Sequence, residues 1–183
     1  MTHMRHIVLF LSLQVLSITA FAQIQALTIP TPGDEREFLA IDRLKVTAGW
    51  NGLHEETRTL TGTYAVPKGW VILDIRTVVY ADDHGNRSTE GLSNNTNVVL
   101  ESEILDYYGN KIRAEASVGN KAAVAELEEK QKKHLQLYAN YQSRTNFVRA
   151  TVSASGYGHM WNRKTSTEEI SVYVKCMYIG LPE

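Results

Sequence analysis

The chain has 183 residues, of which 43% are apolar and 21% are charged, and this composition indicates a globular protein rather than a disordered one. Its 19 basic and 20 acidic residues give a formal net charge of −1, so we expect no basic surface for nucleic acid. Cys176 is the only cysteine in the sequence, which excludes an intramolecular disulfide.

The first 22 residues have the pattern of a cleavable signal peptide. Arg5 precedes an uncharged apolar run from Ile7 to Phe21, and the run ends in Ala20-Phe21-Ala22. A basic start, a short apolar region and an A-x-A site are the three parts of such a peptide. The run is shorter than the roughly 20 apolar residues that a membrane span needs. We therefore expect an exported protein, periplasmic or extracellular.

The rest of the chain divides into a leader and one domain. Residues 23–36 include Pro30, Pro32 and Gly33, which predict an extended leader rather than a helix or a strand. Residues 37–183 have the length and the apolar content of a single soluble domain.

Alternating apolar residues predict strands along most of this domain. Phe38, Ala40, Leu44, Val46, Ala48 and Trp50 share one side of the first strand, and Asp42 breaks the pattern. Trp70–Ala81 is apolar on nearly both sides, which predicts a central strand covered on both faces. The other expected strands are Leu60–Val66, Asn97–Asp106, Lys111–Ser117, Phe147–Ser155 and Ile170–Ile179. A polar loop is expected from Asp82 to Asn97, with N-x-S/T sequons at Asn86 and Asn94.

One helix interrupts the strands. Asn120 is a suitable N-cap, and Lys121 to Ser143 contains no Gly or Pro. Gln131 and His134 dilute its apolar stripe, so we expect packing at both ends and a solvent-exposed middle. The predicted fold is mainly β, an antiparallel immunoglobulin-like β-sandwich of about seven strands with one inserted helix at about 120–143. The likeness is architectural only, because the Cys-Trp-Cys hallmark of antibody domains is absent.

Catalytic and metal-binding motifs are incomplete throughout the sequence. His54-Glu55-Glu56-Thr57-Arg58 begins like the zinc-protease motif, but Arg58 stands where the second histidine ligand must be. Gly156-Tyr157-Gly158 begins like a dinucleotide-binding loop, but Trp161 replaces its third glycine. We therefore expect no catalytic residue, no metal site and no cofactor.

Paired acidic residues keep a hydrolase open as an alternative. Asp74 and Arg76 share one side of a predicted strand, and so do Glu101 and Glu103, about 7 Å apart. Solvated strand faces show the same pattern, so these pairs do not single out an enzyme. Cys176 falls on the apolar side of the last strand, where a buried inert thiol is favoured over an intermolecular disulfide.

The segment from Ser155 to Lys164 is the most suggestive of binding. Its aromatic rings can stack on sugars, and its polar groups can hydrogen-bond hydroxyls. The candidate ligand-binding residues are Tyr157, His159, Trp161, Asn162 and Arg163. Alternatively, Tyr157 and Trp161 fold back to close one end of the core.

These observations favour a non-catalytic binding or adhesion module that recognises a glycan or an extracytoplasmic protein. A membrane-active, toxin-like protein is the second hypothesis, and the hydrolase is the third. Membrane contact is less favoured because the predicted helix has a weak apolar face.

Overall fold

The computed structural model describes residues 29–51, 53–94, 97–159 and 161–182. The predicted signal peptide and residues 23–28 of the predicted leader lie outside this part of the chain. From Ile29 to Asp34 the chain is irregular, and the Asp34 carboxylate accepts a hydrogen bond from the Thr31 N–H at 2.9 Å. The first strand, β1 (Glu35–Ala48), follows at once, two residues before the predicted end of the leader.

One three-stranded antiparallel sheet consists of β1, β10 (Ser166–Tyr178) and β5 (Trp70–Asp82), with β10 in the middle. The apolar residues of β10 alternate as the sequence predicted, and four of them are fully buried: Ile170, Val172, Val174 and Cys176. The register between β1 and β10 shifts between Leu39 and Leu44, and Arg43 has a φ of 49°. This bulge explains why Asp42 breaks the alternation of β1.

A second three-stranded antiparallel sheet consists of β4 (Thr57–Ala65), β7 (Phe147–Ser155) and β6 (Gly85–Leu92), with β7 in the middle. Its inward residues on β7 are fully buried against the first sheet: Val148, Ala150, Val152 and Ala154. Because these side chains are small, the two sheets can approach closely around the shared core. The predicted Phe147–Ser155 strand is thus confirmed, as is the mainly β, antiparallel character of the chain.

The prediction of a central strand at Trp70–Ala81 is wrong. The segment is β5, which lies at the edge of its sheet, and its later residues Asp74 and Arg76 are exposed. Its first residues are covered on both faces, because Ile72 packs in the core between the sheets and Val71 packs under the helices. The apolar run therefore reflects burial on both faces at only the first residues of the strand.

The predicted strands at Asn97–Asp106 and Lys111–Ser117 are also wrong, because this segment forms helix α1 (Glu101–Ser117). Ile104 and Tyr108 lie one turn apart on the buried side of α1. The Glu103 carboxylate accepts a hydrogen bond at 2.8 Å from the Leu100 N–H, which satisfies a free donor at the helix start. The chain therefore has two inserted helices in its described part, rather than one.

The second helix, α2 (Lys121–Tyr141), confirms the helix predicted at 120–143. Its Asn120 cap accepts a hydrogen bond at 3.3 Å from the Ala123 N–H. The expected solvent-exposed middle is wrong, since His134 is 3% exposed. Its Nε2 lies 3.0 Å from the Ile179 carbonyl oxygen, and Tyr108 of α1 packs edge-on against its ring.

This topology places different elements at the two ends of the pair of sheets. Within the described residues, three of the four connections between the two sheets lie at one end, which we call the crossover end. They run through β2 (Trp50–Asn51) and β3 (His54–Glu55), through Asp83 and His84, and through β8 (Tyr157–His159) and β9 (Asn162–Lys164). Helices α1 and α2 lie at the opposite, helical end, where Val71, Met177 and Ile179 join them in a second apolar cluster.

The seven-stranded immunoglobulin-like arrangement is not confirmed. Six long strands and two short hairpins form the described part of the sheets, in the orders β1-β10-β5 and β4-β7-β6. The polar loop predicted from Asp82 to Asn97 instead contains β6, and the Asn86 sequon lies on that strand. Small and polar residues hide this strand from a pattern search, because Leu92 is the only large apolar residue in β6 and no apolar alternation runs along it.

Candidate functional site

The residues expected to bind a ligand lie on a hairpin at the crossover end. We call residues 157–164 the second arm, formed by β8 and β9, and residues 50–55 the first arm, formed by β2 and β3. The arms meet at their bases, because the Glu56 N–H donates to the Gly49 carbonyl and the Gly156 N–H donates to the Glu56 carbonyl. A Cβ on Gly156 would lie 1.9 Å from the Gly49 carbonyl oxygen, so this close approach requires glycine.

Side chains join the two arms as well. The Trp50 indole N–H donates a hydrogen bond at 3.1 Å to the Tyr157 carbonyl oxygen. The Arg163 guanidinium lies over the Trp50 ring, 5.4 Å from its centroid. A cation over an indole face is attracted by the ring quadrupole. The first arm therefore supports the base of the second.

The turn between β5 and β6 supports Tyr157 from another side. The His84 ring stacks on the Tyr157 ring at 3.7 Å with an interplanar angle of 3°, and His84 Nδ1 lies 3.0 Å from Asp83 Oδ1. Lost hydration, followed by the negative charge of Asp83, raises the pKa of Tyr157, so its hydroxyl stays protonated and donates to that carboxylate. Tyr157 thus folds back onto the turn between β5 and β6, without joining the core whose end one interpretation expected it to close.

A buried carboxylate holds this turn in place. Glu168 on β10 is fully buried, and its Oε1 accepts a hydrogen bond at 3.1 Å from the Asp83 N–H. Its Oε2 lies 3.3 Å from Arg87 Nη1, which also pairs with Asp82 at 2.9 Å. Buried charges need such partners, because an unpaired one is strongly destabilising. Sequence reasoning missed Glu168, because its position on an alternating strand gave no sign of its partners.

Trp161, unlike Tyr157, projects into solvent. It is 93% exposed at the turn of the second arm, so it does not close the core. His159, Asn162 and Arg163 are exposed around it, while Tyr157 is half-buried. Leu53 at the turn of the first arm is also 64% exposed. The crossover end therefore presents apolar tips on a supported base.

The outer face of the β4-β7-β6 sheet is uncharged next to the arms. Eight outward side chains in register across the three strands carry hydroxyl or amide groups there, and we call them the hydroxyl face: Thr57, Thr59, Thr61, Thr151, Ser153, Ser155, Asn86 and Ser88. Strand geometry spaces them about 4.8 Å across strands and about 6.8 Å along them. The first charged pair, Arg149 with Glu90 at 3.3 Å, lies beyond this area.

The outer face of the other sheet is charged. Arg43 pairs with Glu169 at 2.7 Å, and Lys175 pairs with Glu35 at 2.6 Å. Arg76 pairs with Glu37 at 3.1 Å, although the sequence suggested Asp74 as its partner. The two outer faces therefore offer different chemistry, and only the hydroxyl face continues from the arms without charge.

The carboxylates considered for hydrolysis are not arranged as a strand pair. Glu101 and Glu103 lie in the first turn of α1, where Glu103 accepts hydrogen bonds from Lys68 at 2.8 Å and from the Leu100 N–H. Asp74 is exposed on β5. Cys176 is buried as expected, and this burial raises the pKa of its thiol to about 12.

Metal binding and membrane spanning find no support in the described residues. No group of three or more His, Cys, Asp or Glu side chains in ranges 29–51, 53–94, 97–159 and 161–182 is placed to hold a metal ion. Over the same ranges, neither helix combines the length and hydropathy needed to cross a bilayer.

No protein-family model, no curated protein and no solved structure matches the chain.

Proposed function

We propose that the protein is an exported, non-catalytic binding module that holds carbohydrate on the second arm and the hydroxyl face of a β-sandwich scaffold. One observation carries this proposal. Trp161 is 93% exposed at the tip of an arm whose base is held by Trp50 and by the stack of Tyr157 on His84. A rigid base and a free aromatic tip are the parts that a stacking ligand needs.

The exposed indole of Trp161 can contribute binding free energy when a ligand covers it. A tryptophan side chain buries 150–250 Å² when it is covered. Covering about half of that area at about 25 cal/mol per Å² is worth about 2–3 kcal/mol. A pyranose ring has a flat C–H face of suitable size, and His159 and Asn162 lie beside Trp161 to hydrogen-bond its hydroxyls.

The hydroxyl face favours carbohydrate over a protein partner. Its eight side chains donate and accept hydrogen bonds without charge, and Thr57 lies just after the first arm while Ser155 lies just before the second. Protein interfaces instead concentrate aromatic residues and arginine at their centre. A polysaccharide chain can stack on Trp161 and extend along these hydroxyls, where neutral polar groups match its own.

Co-sedimentation with insoluble polysaccharides tests the proposal. We expect the purified protein to pellet with cellulose, chitin or peptidoglycan, and we expect Trp161→Ala to weaken this binding about tenfold or more. Val118→Ala is the matched control, because Val118 is 75% exposed at the helical end. Failure of the wild type to pellet with any polysaccharide would contradict the proposal, and so would equal pelleting of wild type and Trp161→Ala.

A second test concerns the hydroxyl face. Thr59→Val and Thr61→Val keep the shape and the strand propensity of these side chains while removing their hydroxyls. We expect the double variant to bind polysaccharide several-fold more weakly at unchanged stability. Undiminished binding would confine the proposed site to the arm.

Export is part of the same proposal and has its own test. We expect the protein recovered outside the cytoplasm to begin at Gln23, following cleavage after Ala20-Phe21-Ala22. Recovery of a chain that still begins at Met1 would contradict it. N-terminal sequencing or intact mass measurement distinguishes the two.

A membrane-active protein is the second candidate, and the two apolar tips favour it. Leu53 and Trp161 are both exposed at the crossover end, and Arg163 and Lys164 follow Trp161. Aromatic residues with neighbouring cations are typical of contact with an anionic lipid surface. Dye release from anionic liposomes, lost in Leu53→Ser with Trp161→Ser, would support this candidate over carbohydrate binding.

A further inference from the structure

A cavity at the helical end is lined for a ligand that the arms do not explain. It has a volume of about 490 Å³ and lies between α1, α2, the residues before β1 and the C-terminal segment. Its apolar lining includes Pro32, Tyr107, Leu127 and Leu137. A volume of this size lies within the range of small-molecule sites, which are mostly apolar with a few polar groups.

His134 contributes a neutral ring to the wall of this cavity. Its Nε2 lies 3.0 Å from the Ile179 carbonyl oxygen, which only accepts, so Nε2 carries the proton. Burial lowers the pKa of the His134 ring and keeps the ring neutral. Its Nδ1 is buried without a hydrogen-bond partner among the described residues and is out of reach of a ligand in the cavity, so the ring adds no positive charge and no polar contact there.

The charges at the cavity have one sign. Three lysines line it, Lys111, Lys130 and Lys133, and no carboxylate from the described residues does. Lys130 pairs with Glu126 at 2.6 Å and Lys133 with Glu129 at 3.4 Å along α2, so both ammonium groups are held near the helix surface. Lys111 lies over the Tyr107 ring, 4.3 Å from its centroid.

We propose that this cavity binds a small amphipathic acid. The apolar body lies against Leu127 and Leu137, and the anionic head lies at Lys130 and Lys133. Charge complementarity selects an anion over a cation with the same body. The proposal is independent of carbohydrate binding, because the cavity lies at the end opposite the arms.

Two matched probes test the class of ligand by isothermal titration calorimetry. Naphthoate and naphthylmethylamine share one apolar body and differ in charge. We expect naphthoate to bind about tenfold or more tightly than the amine. Equal affinity for anion and amine would overturn the proposal, and so would no binding of either probe.

Variants place the binding in the cavity. Leu127→Trp fills the space and abolishes binding of both probes, with urea unfolding as the check that the variant folds. Lys130→Gln with Lys133→Gln loses the preference for naphthoate over the amine, whereas Lys132→Gln on the same helix keeps it, because Lys132 does not line the cavity. Trp161→Ala is expected to bind the probes as the wild type does. Binding that survives both Leu127→Trp and the double lysine variant would place the ligand elsewhere and overturn the proposal.

Discussion

Replacement of Glu168 is predicted to weaken the crossover end more than replacement of any exposed carboxylate. The side chain is fully buried and accepts hydrogen bonds from the Asp83 N–H at 3.1 Å and from Arg87 at 3.3 Å. Glu168→Ala leaves the part-buried Asp83 N–H without this partner, which costs about 1–3 kcal/mol, and adds a cavity. The lost ion pair adds less, because the Arg87 side chain is 35% exposed and keeps Asp82.

Together these effects predict a loss of about 3–4 kcal/mol in the free energy of unfolding for Glu168→Ala. Glu168→Gln retains an acceptor for the Asp83 N–H and most of the volume, so we expect a loss of about 1–2 kcal/mol. Urea unfolding with linear extrapolation measures both values. Glu90→Ala is the control, since its pair with Arg149 is half-exposed and worth at most about 1 kcal/mol. A loss for Glu168→Ala no larger than for Glu90→Ala would refute the reasoning.

Three further predictions follow from single residues. Gly156→Ala is expected to destabilise by about 2 kcal/mol or more in urea, because its Cβ would meet the Gly49 carbonyl oxygen at 1.9 Å; an unchanged midpoint would contradict the close approach. Gly109→Ala is expected to stabilise by about 0.5–1 kcal/mol, since the added methyl in α1 meets nothing within 4 Å; a lower melting temperature would count against it. Cys176, with its pKa raised from 9.0 to about 12, should react with a thiol reagent only after unfolding. Because the folded state keeps the proton longer, stability should fall as pH rises above 9.0, and Cys176→Ala should remove this part of the pH dependence.

Strands with strict alternation were predictable, and helix α1 was not. Every second residue from Val148 to Ala154 and from Ile170 to Cys176 is apolar and fully buried, because one side of each strand faces the core between the sheets. In α1, Gly109 and Asn110 resembled a hairpin turn, and Leu100 is not a usual N-cap. The helical signal was the four-residue spacing of Ile104 and Tyr108, which outweighs a single glycine at about 1 kcal/mol.

The wrong prediction for α1 also affected the prediction for α2. With α1 assigned to strands, nothing remained to cover the middle of α2, so His134 was expected to be exposed when it is buried. His84 adopts a φ of 51° in the turn between β5 and β6, as a tight connection between sheets requires.

The candidate site was predictable as a segment but not as a geometry. Glycines and aromatic residues marked residues 155–164, yet the different positions of Tyr157 and Trp161 depend on distant partners. Tyr157 is held by His84 and Trp50, which lie about seventy and one hundred residues away in the chain. No local pattern encodes such contacts.

Quenching of tryptophan fluorescence tests the central claim most directly, namely that carbohydrate covers Trp161. Trp70 is 5% exposed and Trp50 is half-buried, whereas Trp161 is 93% exposed, so acrylamide quenching reports mainly on Trp161. Soluble oligosaccharide from the polysaccharide that pellets the protein should reduce this quenching in the wild type and leave Trp161→Phe almost unaffected. Bound oligosaccharide with undiminished quenching would show that the ligand lies elsewhere and would contradict the account.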